Sequence, residues 1–466
     1  MPRSQSPLAS PPVHDDCLAA ANDAVALARL RGGTTYAVVA QQRRLPANPA
    51  ALFAAGGHKR MLVWQGGDWL LCCGESLSAS VSGPGRAVAL AGIRSDLQHR
   101  CCCHGPDAAT LPILALACSF EPRAPGPSAW GQDLPGAELR LPRIAYQRCG
   151  NAHGRVIASC KVHGDDKPQD IASNLQELLT HGPAESAPPP RHDRSRWQPL
   201  SEQDFCAVVA EAASLVHHGA LRKVVLARAH DVDWHGDHAS APLLSALRQQ
   251  ADSASTVYWY DLEGGASFIG TTPELLFALN GNQLHSMALA GSRPRGQTSS
   301  EDRRLARELV SSTKERKEHN LVVEHIARAL DGRVSQLAIP AAPVVRKLPT
   351  MQHLHSPMSA TLLRPDPCDL LSQLHPTPAV CGLPSPLAAD YIRRQEGLHR
   401  GLYSGVLGWL SPGQARMVVP LRGGIICGPR ARLFAGAGIV ETSQPEAEAA
   451  EVESKLALMR GVLGDK

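Results

Sequence analysis

Residues 432–456, RLFAGAGIVETSQPEAEAAEVESKL, decide how the rest of the chain is read. The stretch begins as a strand at Leu433 and Phe434, passes a glycine turn at Gly436 and Gly438, and ends in a helix. Ser443 is placed to cap that helix, Pro445 falls in its first turn, and Glu446 and Glu448 sit near the positive end of its dipole. At roughly 100° per residue, Glu448, Glu451 and Lys455 gather within about 60° of one another. The apolar residues Val452, Leu456, Met459 and Leu463 fill the adjoining arc, and Glu446, Glu453 and Arg460 take the far side. Two carboxylates and a lysine therefore turn toward the core, an expensive placement unless something binds there. Taken alone, the pattern also fits an amphipathic terminal helix whose charges solvate at its edge.

A second helix, over 314–330, repeats the anomaly. Measured from Glu318, the residues Glu315, Val322, Ile326 and Ala329 fall within about 80° on one side. Arg316, Lys317, Asn320 and Glu324 take the opposite half. Carboxylates sent into one interior from two helices repel unless a cation lies between them. An all-oxygen ligand set suits Mg²⁺, which keeps several waters and accepts a substrate carboxylate or phosphate into its shell. An anionic substrate is the expectation. The alternative is two separate surface networks, Lys314 with Glu318 and Glu451 with Lys455, each at i,i+4 spacing.

Bulk properties exclude several classes. Charged residues make up 19% of the 466, aromatics 4%, and there are 40 Gly and 37 Pro, a turn-rich globular composition. A net charge of +4 is too mild to point to nucleic acid or an acidic membrane surface. No apolar run is long enough to span a membrane. The opening MPRSQSPLASPPVHDD has no apolar h-region, so residues 1–16 are expected to be a disordered lead-in and the protein cytoplasmic. The 13 cysteines lack paired spacing and suit a reducing compartment. Cys101, Cys102, Cys103 and His104 are adjacent, but strand neighbours face opposite ways, which argues against a zinc tetrahedron.

Residues 17–182 read as scaffold: a helix at 17–31, β-rich runs (YAVVA, MLVW, WLLCC, AVALAG, RVIASCKV) and a helix at 170–182. PAESAPPPRHDRSRW, 183–197, is the expected linker, and 198–466 carries the chemistry. There KVVLARAHDVDW is a strand opening on Lys223, and ASFIGTTPELLFAL is two strands around a turn at 270–273. ARMVVPLRGGIICG is a strand, and the helical run after 299 breaks near Ser311 and Ser312.

Seven ordered segments resemble the chorismate-utilising enzyme family, and within it the members that form isochorismate. They are KVVLAR (223–228), FIGTTPELL (268–276), ALAGSRPRG (288–296), KERKEHNLVVEHI (314–326), LHPTPAVCGLP (374–384), YSGVLGW (403–409) and LFAGAGIVETSQPEAEAAEVESKL (433–456). The resemblance covers roughly 200 to 460. It implies a mixed α/β (α+β) fold of two large, mostly antiparallel sheets packed together with helices outside, forming one unit despite the linker.

The implied reaction adds water at C2 of chorismate while the C4 hydroxyl leaves. Water is a poor nucleophile and hydroxide a poor leaving group, so a base and an acid are both needed. By resemblance the base is Lys223 and the acid Glu274. Cationic surroundings are expected to lower the lysine pKa, and desolvation to raise that of the glutamate. Glu318 and Glu451 correspond to Mg²⁺ ligands, with Glu315 and Glu448 holding metal-bound water. The ion is expected to grip the ring carboxylate of chorismate. Arg422, Lys455 and the N–H groups around Gly436 and Gly438 are the expected seat of the second carboxylate, and His353 and Ala379 lie near substrate.

Lys223, Ala379 and Ala290 stand where aminating, pyruvate-eliminating or aminodeoxychorismate-forming relatives carry other residues. These markers point to a reaction that stops at isochorismate, without a glutaminase partner, in a monomer. His399, Gly423 and Ser356 depart from the family pattern, and Gly423 is expected to loosen Arg422. The alternatives are a salicylate or anthranilate synthase, or a non-catalytic chorismate-binding subunit.

Overall fold

In strand Met61–Gln65, Met61 and Val63 face one way and Leu62 and Trp64 the other, and all four are buried. A strand covered on both faces reads as a continuous apolar run, and two cores account for it. Met61 and Val63 join a core between two stacked sheets. Leu62 and Trp64 join a core roofed by helices Val13–Arg31, Phe205–His217, Ser240–Gln250 and Pro445–Val462. This computed structural model describes residues 13–122, 135–150, 153–180, 196–199, 205–233 and 240–464.

The sheets have thirteen and ten described strands. Every pairing is antiparallel except that of Thr35–Arg44 with Cys101–His104, so the expected architecture is what the chain forms. Both sheets mix early and late sequence. Met61–Gln65 pairs with Thr256–Asp261 in the larger sheet, and Leu114–Cys118 with Val406–Ser411 in the smaller. The scaffold and the chemistry-bearing region are thus one unit. Of the expected linker, 183–195 lies outside the described residues, while Arg196–Pro199 pairs with strand Lys223–Asp233. The expected lead-in also lies outside them up to residue 12, and the first helix begins at Val13, inside it.

The chain changes sheets twice where the sequence suggested simpler geometry. Strand Ser267–Thr272 belongs to the larger sheet and Leu275–Asn280 to the smaller, so Pro273 and Glu274 form a crossing, not a hairpin turn. ARMVVPLRGGIICG is not one strand: Gln414–Val418 lies in the smaller sheet, Gly423–Cys427 in the larger, and 419–422 cross between them.

Three local expectations also change. AVALAG lies in helix Arg86–Arg100, which buries Leu90 and Leu97; a short apolar run does not separate strand from helix. Gly436 and Gly438 are not a turn but lie within strand Arg430–Ile439. Ser443 does not cap the last helix. Its hydroxyl accepts from Val440 N–H, and Gln444 is the N-cap residue. The break after Ser311 is present, and the Ser312 hydroxyl caps helix Thr313–Leu330 by accepting from Glu315 N–H. Cys101, Cys102 and Cys103 are free thiols on a strand, and His104 bonds Asp23. Among the described residues no helix is long and apolar enough to cross a membrane.

Candidate active site

The two crossings run side by side and build one end of a cleft. Glu274 C=O accepts from Val419 N–H, and each of the four carbonyls from 419 to 422 has its own donor. Thr272 Oγ1 donates to Val419 O at 2.6 Å, Ser404 N–H to Pro420 O at 2.9 Å, Tyr258 Oη to Leu421 O at 2.6 Å and Thr271 N–H to Arg422 O at 3.2 Å. Arg422 is held with φ at +40°, a conformation non-glycine residues avoid. Its guanidinium is buried and donates from Nη2 to His353 Nε2 at 2.7 Å. Arginine only donates, so His353 Nε2 accepts and its Nδ1–H donates to Ser292 Oγ at 3.0 Å. Burial and the adjacent Arg422 keep His353 neutral, well below the usual imidazole pKa.

Gly423, expected to loosen Arg422, has a steric role of its own. A Cβ at Gly423 would collide with the Tyr258 hydroxyl, so the glycine makes room for the phenol that holds Leu421.

Glu274 is buried at the first crossing, with Thr377 Oγ1 at 3.4 Å from Oε1. Burial raises its pKa to about 7, against the opposing pull of Lys223, Thr377 and Lys455. Lys223 is 1% exposed. Its surroundings are not cationic as expected, because Nζ pairs with Glu318 Oε1 at 2.9 Å.

Helices Thr313–Leu330 and Pro445–Val462 supply the opposite, acidic end. Glu318 and Glu451 line the same cleft as Glu274, Arg422, His353, Ala379, Gly436, Gly438 and Lys455. Each carboxylate is engaged: Glu318 by Lys223, Glu451 by Lys455 at 2.7 Å, Glu448 by Lys314 at 2.8 Å, and Glu315 by Ser292 N–H at 3.0 Å. Lys314 therefore reaches across to the other helix, not along its own to Glu318. Burial disfavours charge on Glu451, yet Lys455, Lys314 and Lys223 outweigh it and hold its pKa below the ordinary range. Burial, then the neighbouring Glu318, raises Glu315 to about 7. Glu315 also has Arg293 Nη1 at 3.6 Å, so the four carboxylates meet three ammonium groups and one guanidinium.

That donor set is hard and oxygen-only, which fits a divalent cation of the Mg²⁺ type. Among the described residues no three His, Cys, Asp or Glu side chains already converge into a metal shell. The fit is to an ion that completes its shell with water and ligand oxygens.

The floor is strand Arg430–Ile439. Opposite Gly438 and Gly436 in the register stand Val225 and Ala227, whose N–H groups point away, to Cys381 O and Glu396 Oε1. The peptide groups of both glycines therefore face the strand's other edge, beyond Phe434, where pairing with strand Gly423–Cys427 has ended. Gly436 O there accepts from Lys455 Nζ at 2.7 Å. A Cβ on Gly438 would lie 2.6 Å from Glu318 Oε1 and 2.9 Å from Lys223 Cε. The glycine is needed for close approach, not for a turn.

Several supporting residues were not read from the sequence. Gly291, at φ +79°, bulges strand Gln283–Pro294 and turns Ser292 so that its N–H meets Glu315 and its hydroxyl meets His353. His319 is fully buried, donating from Nδ1 to Ala290 O and accepting at Nε2 from Ser356 Oγ at 2.8 Å. Ser356, one of the departures from the family pattern, thus supplies a hydroxyl to a buried imidazole. The buried Arg400–Glu396 pair bonds Val380 O, Val225 O and Ala227 N–H, tying the 374–384 loop to the Lys223 strand. His399, the other departure, is exposed and outside this network. The polar spacing in RQEGLHRG carries no periodic signal that would single out Arg400.

Residues 29–464 match a family model described as chorismate binding enzyme. The chain is 36% identical, over 362 residues, to the salicylate biosynthesis isochorismate synthase of Pseudomonas aeruginosa; the alignment spans 76% of this chain and 74% of that protein. In structure it is similar to the menaquinone-specific isochorismate synthase from Escherichia coli, with a TM-score of 0.76, 26% identity, and coverage of 95% of this chain and all of that one. It also resembles anthranilate synthase component I from Streptococcus pneumoniae, with a TM-score of 0.63 at 18% identity and 92% coverage of both chains. That likeness concerns the fold alone.

Proposed function

The chain belongs to the chorismate-binding enzyme family, and from that premise we propose that it is an isochorismate synthase serving salicylate, siderophore or menaquinone biosynthesis. One observation carries the reading above the rest: a buried lysine and a buried glutamate that protonates near neutrality act on one another beside a cleft with an anion seat.

In this reading Arg422, steadied by His353, and the inward N–H groups of Gly436 and Gly438 hold one substrate carboxylate. Glu318 and Glu451 hold Mg²⁺, with Glu315 and Glu448 around it; the bound ion supplies charge compensation and an anchor for the ring carboxylate. Lys223 Nζ takes a proton from water as the water oxygen bonds to C2. The ring double bonds shift, the C4–O bond breaks, and Glu274 donates the proton with which the hydroxyl leaves as water. Taking up that proton requires the free amine, so before reaction Lys223 has to release its ammonium proton to solvent and leave its ion pair with Glu318.

Incubation with chorismate, Mg²⁺ and ammonium tests the reading directly. Isochorismate as the sole product is expected. Salicylate would mean that the site goes on to eliminate pyruvate, and anthranilate that it admits ammonia. Binding of chorismate without conversion would reduce the protein to a non-catalytic subunit.

A further inference from the structure

Four described non-glycine residues adopt positive φ, and two of them, Arg422 and Ser404, line the cleft. Ser404 has φ at +60° and is 1% exposed. Its backbone is fixed on both sides: the N–H donates to Pro420 O at 2.9 Å, and the C=O accepts from His375 Nε2 at 2.9 Å. The first of these bonds ties Ser404 to the crossing that presents Arg422. Glycine adopts this conformation without the penalty that a Cβ incurs, so backbone geometry gives no reason for a side chain here.

Nor does a well-formed hydrogen bond within the described residues account for that side chain. Ser404 Oγ is buried and makes no hydrogen bond of ordinary geometry among the described residues; the neighbouring Tyr403 phenol is close to it. A strained residue carrying an unsatisfied buried hydroxyl is unfavourable twice over, and such residues collect where a ligand completes the bonding.

We propose that the Ser404 hydroxyl is a substrate-binding group, donating to a carboxylate oxygen of the anion that Arg422 holds beside it. The inference rests on the chorismate reading above and adds to it a residue that sets affinity. Because the Ser404 N–H bond to Pro420 O ties it to the crossing that carries Arg422, the two donors keep a fixed separation and select for an acceptor of matching geometry.

Two variants separate the hydroxyl from the strain. Ser404→Gly removes both, and Ser404→Ala removes the hydroxyl but keeps the Cβ. Both are expected to lower kcat/KM for chorismate ~10-fold, mainly through KM, the size of one lost hydrogen bond to a charged acceptor. Ser404→Gly should also melt at a higher temperature than Ser404→Ala, so the losses in affinity and in stability do not track each other. Unchanged KM in Ser404→Gly, or a loss confined to Ser404→Ala, would overturn the proposal. Chorismate-induced thermal shifts on the same proteins keep the two assignments apart. A wild type that is neither stabilised by chorismate nor turns it over refutes the substrate itself. A wild type that responds, with both variants responding equally, refutes only the role of Ser404.

Discussion

The two ends of the cleft are built on opposite principles. At the crossing end, recognition rests on backbone: four successive carbonyls are captured, two residues are held at positive φ, and Arg422 is set by a neutral histidine. At the helical end, recognition rests on long side chains paired one to one with lysines. Such pairs exchange partners by rotating about single bonds, whereas the crossing moves only if several hydrogen bonds break together. Fixed geometry suits a planar, bidentate grip on a carboxylate. Interchangeable ion pairs suit the proposed reading, in which the site would admit a dication and an anion and release them again.

The comparison is tested most severely where the two ends meet. Lys223→Ala and Glu274→Gln are each expected to lower kcat by ~10²–10⁴-fold, the usual contribution of a positioned acid or base, with the fold and Mg²⁺ binding retained. Near-normal rates in either would end the assignment of roles. The same glutamate sets a pH dependence. As an acid with a pKa of about 7 it must be protonated, so kcat/KM should fall about tenfold per pH unit well above neutrality. The stability sign is the same. A carboxyl whose folded pKa is raised contributes stability below its unfolded value near 4.5, and that contribution is lost as pH rises through about 7. Glu315 acts in the same direction over the same window.

Next in size are the acidic groups. Glu318→Gln and Glu451→Gln should raise the Mg²⁺ concentration for half-maximal rate by ~10–100-fold or more, since outer partners of metal ligands alone carry that much. An enzyme indifferent to EDTA would remove the cation from the account. Arg422→Lys should then raise KM for chorismate by ~10-fold while sparing kcat, because an ammonium cannot reproduce the bidentate grip. Smallest is Tyr258→Phe, which leaves Leu421 O without its donor and should lower stability by ~1–3 kcal/mol and raise KM by a few-fold. A larger effect of Tyr258→Phe on the Mg²⁺ requirement than on KM would mean that the two ends are not independent.

What could be read in advance follows the same division. The acidic faces of the two helices were legible because helical periodicity places Glu318 beside Val322 and Glu448 beside Val452 whatever the tertiary context. The crossings were not. Nothing in TTPELL or VVPLRGG separates a hairpin from a passage between two sheets, since both need only a proline and a break in alternation. The glycines of FAGAG read as a turn in sequence, because the atoms that Gly438 makes room for, Glu318 Oε1 and Lys223 Cε, lie far away along the chain. The role of Gly423 is hidden for the same reason: its partner, Tyr258, belongs to a distant strand. His319 and Arg400 went unremarked because they act through buried hydrogen bonds to main-chain atoms, which leave no pattern in composition or spacing.

The weaving of early and late strands has a consequence for how the polypeptide reaches its native state. As it leaves the ribosome, Met61–Gln65 must wait almost two hundred residues for Thr256–Asp261, and Leu114–Cys118 almost three hundred for Val406–Ser411. Until then each presents a bare hydrogen-bonding edge, so maturation is expected to be slow and to lean on chaperones. Cutting the chain at the proline-rich segment would yield two insoluble halves, not a minimal catalyst.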